Sequence, residues 1–321
     1  MSLNMLCPYC AVRNADSRDH VFPDFLGGKS WIPACKECNS TFGHTVEAAA
    51  LSHLKNLMFF FRRSGMQPPR AMVWKGIGLG PNNERYDVDQ DLNAIPSKPI
   101  LERDEVGRIK TARGSRRQVH QIQKSLETDG RAFRVLDVSP VKIDMRQLRI
   151  VYPVDDNTKR LCLKMTVAAS VVNGVALSLD ERARSYLVKA ETLDPCPVRI
   201  ATEHYAQLDE KRPLVGHLIY AQATPKERRI YAIVQFFSAI QFYCELASDY
   251  HGLEKAILAT HDPITHKESF ELAAPLNYPL PPRHLESVTF QNRFQERLER
   301  LRLELVSLYG DQAPLSFKLN D

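Results

Sequence analysis

Four cysteines near the start of the chain have the spacing of a metal site. They form two pairs, each with two intervening residues, and 24 residues separate the pairs: Cys7, Cys10, Cys35 and Cys38. A two-residue gap lets both thiolates of a pair face one ion, and four thiolates close a tetrahedron on Zn²⁺. Because such a site has no open coordination position, we expect one structural zinc that stabilises a module of about 60 residues, too small for a large core.

Three further residues could support hydrolysis. Asp19 and His20 lie between the cysteine pairs, and Asn39 directly follows the second pair. Carboxylate and carboxamide oxygens are ligands for Mg²⁺, and an imidazole can accept a proton from water near neutral pH. A zinc that joins the two pairs would hold the hairpin carrying Asp19 and His20 against the helix start carrying Asn39. The spacing predicts that architecture but not its chemistry, since plain binding modules also use four-cysteine zinc sites.

The segment resembles the HNH endonucleases, in the branch whose ββα-metal unit is braced by a four-cysteine zinc. The resemblance covers residues 7–45 at the level of motifs, and reaches 64 with the helix that follows. It is carried by C-P-Y-C at 7–10, D-H-V-F-P at 19–23, L-G-G-K at 26–29 and C-K-E-C-N-S-T-F-G at 35–43.

The resemblance implies a role for each residue. His20 is similar to the family's general base, Asp19 and Asn39 to its ligands for one Mg²⁺ or Mn²⁺, and the four cysteines to its zinc ligands. Water activated by His20 would attack a DNA phosphorus and leave 5′-phosphate and 3′-hydroxyl ends. A restriction or phage-defence role follows by analogy alone.

One departure bears on activity. Many family members carry a middle asparagine, before the second cysteine pair, that pins the loop holding the base. This chain has Lys29-Ser30-Trp31-Ile32-Pro33 there. Either Gly27-Gly28 and the backbone do that work, or the site is degraded and the chain is a catalytically inactive zinc-containing nucleic-acid-binding protein.

The sequence also predicts some of the elements around these residues. Apolar residues at steps of three and four predict a helix over about 39–63, with an inner face of Val46, Ala50, Leu54, Leu57, Met58 and Phe61. Phe42 and Trp31 are expected to pack the module, with base stacking as the alternative for Trp31. The fold class is therefore α+β: a zinc-braced ββα-metal (HNH) module at 1–64, then a larger mixed domain with a C-terminal helix.

Residues 65–135 form the second predicted region, which is β-rich and basic. Strands are expected at 71–74 and around 106–109. Between Arg103 and Lys124, seven basic residues face two acidic ones. This stretch is either a track for DNA phosphates or a solvated loop.

The third predicted region, 136–321, is an α+β domain for DNA specificity or for sensing. We expect a strand at 148–152, a helix or buried segment at 161–173, a helix at 180–191, strands at 214–222 and 229–245, and a helix at 284–309. The last helix either packs on the core or forms a homodimer. The irregularly placed histidines of this region predict no second metal site.

Composition limits the class of protein. With 43 basic and 38 acidic residues the net charge is +5, compatible with a nucleic-acid partner, and 44% apolar residues is a globular balance. No apolar run has the length of a membrane span and the N-terminus lacks a signal-peptide pattern. We therefore expect a cytoplasmic protein with no membrane partner, with reduced single cysteines, that binds DNA.

Overall fold

A computed structural model of the protein describes most of the chain. The described residues are 5–61, 73–79, 84–89, 93–128, 155–175, 177–201, 206–276, and 296, 297, 299–301, 303, 304 and 307. The chain divides into two compact units, one of residues 1–69 with 151–314 and one of 70–150 with 315–321. The predicted boundaries at 64/65 and 135/136 lie outside the described residues and stay predictions.

The N-terminal region begins with a two-stranded antiparallel ribbon. Strand β1 (Ser17–His20) pairs with β2 (Trp31–Ala34). Two glycines shape the connection between the strands: Gly27 has a φ of +92°, and a Cβ on Gly28 would lie 1.8 Å from the carbonyl oxygen of Phe22. The Gly-Gly pair is therefore required by the backbone path.

A continuous helical run follows the ribbon. It consists of α1 (Lys36–Thr41), a π-helical turn (Phe42–Glu47) and α2 (Ala48–Phe61). The predicted helix is confirmed, but it begins at Lys36 because Cys35 caps it, its Sγ accepting from the Cys38 amide at 3.4 Å. The predicted inner face is buried at Val46, Ala50, Leu54, Leu57 and Met58.

The second unit contains small sheets and a helix. Its elements are β3 (Val73–Leu79), β4 (Arg85–Asp89), β5 (Ala94–Pro96), β6 (Ile100–Arg103), β7 (Ile109–Arg113) and α3 (Arg116–Thr128). Five of these six elements are strands. The strand predicted around 106–109 begins only at Ile109, because Val106 lies in the turn before β7.

Most of the basic stretch is ordered, not a loop. It forms β7 and α3. Ser115 and Gln118 cap the start of α3 reciprocally: the Ser115 amide donates to Gln118 Oε1 at 2.7 Å, and the Gln118 amide donates to Ser115 Oγ at 3.3 Å. The solvated-loop alternative is therefore wrong for the helical part.

The remainder of the first unit is a helix-backed sheet. Its elements are α4 (Asp156–Val172), α5 (Glu181–Lys189), β8 (Val198–Ile200), α6 (Ala206–Asp209), β9 (His217–Thr224), β10 (Arg229–Phe236), β11 (Ile240–Ala247), β12 (Lys255–Asp262) and β13 (Lys267–Leu272). The strands pair antiparallel in the order β13-β12-β9-β10-β11-β8.

Helix α4 lies between the N-terminal region and this sheet. It contacts β2, the π-helical turn and α2, and it also contacts strands β8–β12. Almost all its residues from Thr158 to Ser170 are buried. The predicted helices at 161–173 and 180–191 are confirmed as α4 and α5.

The prediction of one strand over 229–245 is wrong. The chain turns at Phe237 and Ser238, both at left-handed φ near +52° and +56°, and returns as β11. Both strands are buried nearly throughout, so the sequence stays largely apolar from β10 through the turn into β11 and shows no break there. The predicted strand at 148–152 lies outside the described residues, as does most of the final helix, whose described positions are helical.

No helix among the described residues is long and apolar enough to cross a membrane.

Candidate active site

The four N-terminal cysteines converge. All are buried, their Sγ atoms lie within 4.8 Å of one another, and Cys10 Sγ is 3.9 Å from Cys35 Sγ. In a zinc tetrahedron with Zn–S bonds of about 2.3 Å, sulfur atoms are about 3.8 Å apart. The cluster therefore fits one structural Zn²⁺, as the spacing predicted.

Local backbone structure places both cysteine pairs. The Ala11 amide donates to Cys7 O at 2.9 Å, with Ala11 at a positive φ of 56°, so the first pair occupies a tight turn. The second pair is the capped start of α1. The hydrogen bond between the Cys7 and Cys38 thiols lowers the pKa of Cys7 and raises the pKa of Cys38, as expected for two thiols that share a proton.

Asp19 faces inward and both its oxygens have partners. It is 3% exposed; the Tyr9 hydroxyl donates to Oδ2 at 2.6 Å, and Lys164 Nζ lies 2.9 Å from Oδ1. Burial raises the pKa of Tyr9 well above its usual value, and the Asp19 charge raises it further. Tyr9 therefore stays a neutral donor to Asp19.

Lys164, from the middle of α4, completes this buried group. Its side chain is 0% exposed, and its ammonium also donates to His20 O at 2.9 Å and to Glu47 Oε1 at 2.6 Å. Tyr9 and Lys164 are site residues that were not identified from the sequence. The available signal was a lone lysine inside an apolar helical run, because a fully buried lysine needs charged or polar partners.

His20 faces away from Asp19. Successive strand residues point to opposite faces, so His20 shares the outer face of the ribbon with Arg18 and with Trp31, its partner across the strands. The imidazole is half-buried, and among the described residues none hydrogen-bonds to it. Its nitrogens are available to a water molecule or to a substrate.

Asn39 ties the helix to the strand beside Asp19. Its Nδ2 donates to Arg18 O at 2.7 Å and to Ser17 Oγ at 2.8 Å. Both N–H donors are thus used on β1, and the half-buried Oδ1 remains as an acceptor. The structure brings Asp19, His20 and Asn39 to one ribbon and the helix packed on it.

These residues can supply oxygen ligands to a divalent ion. Asn39 offers Oδ1, and each Asp19 oxygen, which accepts one hydrogen bond, retains a second lone pair. Oxygen donors of this kind suit Mg²⁺ and Mn²⁺.

Trp31 does not pack the module as predicted. It is 46% exposed, and the Arg18 guanidinium lies 4.1 Å from its ring centroid. Phe42, by contrast, is buried and meets the Tyr9 ring edge-on at 5.0 Å, as predicted. The ribbon face that carries His20 thus also presents an exposed cation–aromatic pair.

A family model for HNH endonucleases matches residues 7–55. The match spans the four cysteines, the ribbon and the start of α2, so this N-terminal segment is an HNH region. Neither the curated proteins nor the solved structures yield a match to the chain.

Proposed function

Because residues 7–55 form an HNH endonuclease region, we propose that the protein is a metal-dependent endonuclease that hydrolyses DNA phosphodiester bonds. The observation that carries this proposal is the arrangement around β1. Asn39 is hydrogen-bonded to the strand beside Asp19, and the neighbouring His20 presents to the outer face an imidazole that has no hydrogen-bond partner among the described residues.

His20 is the proposed general base. On the outer face of the ribbon it can accept a proton from a water molecule placed against a bound phosphate. Its backbone is fixed from behind by the Lys164 hydrogen bond to its carbonyl oxygen. A base on a fixed strand keeps the short approach that proton transfer requires.

Asp19 and Asn39 are the proposed holders of one Mg²⁺ or Mn²⁺. When bound, such an ion stabilises charge on the phosphate and on the departing 3′ oxygen. Tyr9 and Lys164 fix the Asp19 carboxylate, and the two Nδ2 hydrogen bonds fix the Asn39 amide plane. The four cysteines are the proposed ligands of a separate structural Zn²⁺.

Arg18 and Trp31 are the proposed contacts to DNA nearest the base. The guanidinium can pair with a backbone phosphate, and the indole offers a flat apolar face. Helix α3 carries exposed Arg116, Arg117 and Lys124 residues, which we propose as further phosphate contacts.

The wider role follows the same proposal. We place the protein in the cytoplasm, in restriction or phage defence, with residues 136–321 as a specificity or sensor region and with a homodimer through the final helix. The dimer prediction concerns residues largely outside the described part of the chain.

A catalytically inactive nucleic-acid-binding protein is the alternative. The observation that favours it is the state of Asp19, which is almost fully buried and has both oxygens already hydrogen-bonded. An ion at this carboxylate must share it with Tyr9 and Lys164.

Plasmid cleavage distinguishes the two functions. Wild type and His20→Ala are incubated with supercoiled plasmid in Mg²⁺, Mn²⁺ or EDTA, with zinc content measured on the same samples. Metal-dependent nicking that is lost in His20→Ala, at one zinc per chain in both, supports the nuclease. DNA binding that persists in EDTA, without cleavage in Mn²⁺, supports the inactive binding protein.

A further inference from the structure

A buried cation from outside the HNH region lies against the Asp19-His20 pair. Lys164 belongs to α4, more than 100 residues beyond residue 55, where the family match ends. Its side chain is 0% exposed, so the ammonium has no contact with solvent.

The ammonium has a complete set of acceptors. A lysine offers three N–H donors, and three acceptors surround Nζ: Asp19 Oδ1 at 2.9 Å, His20 O at 2.9 Å and Glu47 Oε1 at 2.6 Å. The Lys164 ammonium therefore hydrogen-bonds both to the side chain of Asp19 and to the backbone of His20.

Charge balance alone does not account for this arrangement. Replacing a buried ion pair by apolar residues of similar volume is often neutral or stabilising, so a buried pair is weak evidence of a stabilising role. A counterion for Glu47 would also not need a hydrogen bond to His20 O. The contact to the carbonyl restrains the strand at the residue whose imidazole must meet water.

We propose that Lys164 is a positioning residue of the nuclease site, which orients the Asp19 carboxylate for a divalent ion and fixes the His20 backbone. The inference rests on the proposed function and extends it to a residue beyond the HNH region. Lys164 supplies the hydrogen bond to the His20 backbone from α4, which lies outside the residues that the family model matches. Misplacement of a reacting group by about 1 Å can cost about 10²-fold in rate.

A charge-matched pair of substitutions separates positioning from electrostatics. In the wild type, Lys164, Asp19 and Glu47 sum to a charge of −1, and in the double variant K164M/E47Q Asp19 alone also gives −1. The net charge beside an ion at Asp19 is thus unchanged, while the two hydrogen bonds that position the pair are lost. E47Q alone keeps both positioning hydrogen bonds of Lys164 but changes the charge of the group to 0, so it measures the electrostatic contribution. K159M is the control variant, since Lys159 is on the same helix and pairs with Asp156 at 3.3 Å.

Two readouts are compared in the full-length proteins. The first is Mn²⁺ affinity without DNA, from the electron paramagnetic resonance signal of free Mn²⁺, and the second is the nicking rate of plasmid at saturating Mn²⁺. Zinc content and melting temperature check the fold. We expect K164M/E47Q to bind Mn²⁺ at least tenfold more weakly and to nick at least tenfold more slowly than wild type, with K159M within threefold of wild type.

A folded K164M/E47Q protein with wild-type Mn²⁺ affinity and rate overturns the inference and leaves the nuclease proposal intact. If the wild type nicks nothing, the proposed function fails, and the Mn²⁺ titration alone decides this inference; a wild type that binds no Mn²⁺ overturns it. If K164M/E47Q loses zinc or its melting transition, K164Q/E47Q, which keeps a polar side chain at the same net charge, is judged by the same criteria. If that pair also unfolds, Lys164 is a structural counterion and the inference is wrong.

Discussion

The hydroxyl of Tyr9 donates a hydrogen bond of 2.6 Å to Oδ2 of Asp19. Tyr9 stands between the first two cysteines of the cluster, so the turn that presents Cys7 and Cys10 to a zinc ion also holds Asp19. This hydrogen bond is therefore a physical link between the cysteine turn and Asp19, as expected if a structural metal positions the site residues. We predict that removing the Tyr9 hydroxyl impairs the site without affecting zinc binding.

Tyr9→Phe is expected to keep one zinc and to lower the nicking rate about tenfold. The substitution leaves a buried carboxylate oxygen without its donor, which costs about 1–3 kcal/mol in the free energy of unfolding. Urea unfolding and plasmid nicking are the measurements. Tyr250→Phe is the matched control, because the Tyr250 hydroxyl donates to Leu253 O at an exposed position. Full activity in Tyr9→Phe would show that the hydroxyl does not position Asp19.

Cys35→Ser is expected to abolish zinc binding and unfold the HNH region. A serine at this position can still cap α1, so the loss isolates the contribution of the metal ligand. Zinc content by mass spectrometry and helicity by circular dichroism are measured together. Cys196→Ser is the control, since Cys196 lies outside the cluster. Retention of one zinc per chain in Cys35→Ser would contradict the four-cysteine assignment.

Acid is expected to destabilise the first unit through His261. Burial lowers the pKa of His261 to about 4, and its ring stacks on those of Phe22 and His217 at 5.3 and 5.6 Å. The unfolded chain takes up this proton near pH 6.5, but the folded protein does so only near pH 4. The free energy of unfolding therefore falls as the pH drops through this window, by about 3 kcal/mol from this residue.

His261→Phe keeps an aromatic ring and removes the titration. Chemical denaturation from pH 7 to pH 4 should show a shallower loss of stability in this variant than in wild type. His251→Phe, at an exposed position, serves as the control. Parallel stability profiles of wild type and His261→Phe would show that His261 is not the group responsible; burial also lowers the pKa of the neighbouring His217.

Arg18→Ala is expected to weaken DNA binding with no loss of stability. If Arg18 neutralises one phosphate, the slope of log affinity against log salt falls in magnitude by about 0.9. Binding is measured in EDTA so that cleavage does not interfere. Arg228→Ala is the control, since Arg228 is exposed in the turn between β9 and β10 and pairs with Asp249. An unchanged salt slope would remove Arg18 from the DNA contacts.

The zinc cluster and the inner face of α2 could be predicted from sequence because their determinants are local. Paired cysteines two residues apart and apolar residues at helical spacing need no knowledge of the rest of the chain. The placement of Asp19, His20 and Asn39 on one ribbon and the adjoining helix could be predicted for the same reason, because these residues lie between the cysteine pairs or directly after them. Their roles as base and ligands remain predictions.

The missing parts depend on long-range packing. Nothing near Lys164 indicates that its ammonium meets Asp19, 145 residues earlier. The turn at Phe237 and Ser238 was missed because apolar residues continue through it, where a turn usually shows Gly, Pro or Asn. Trp31 was expected inside because it is large and apolar, but its place opposite His20 puts it on the outer face of the ribbon.

The carboxylate of Glu268 accepts hydrogen bonds from the backbone amides of Lys29 at 3.0 Å and of Ser30 at 2.8 Å. Glu268 is on β13, the edge strand of the six-stranded sheet, so the connection between β1 and β2 is attached to a strand more than 200 residues later. The first 61 residues therefore do not form a unit that can be moved into another protein unchanged. An engineer who grafts them onto a different DNA-targeting protein must transplant the sheet as well, or redesign the surface that it covers.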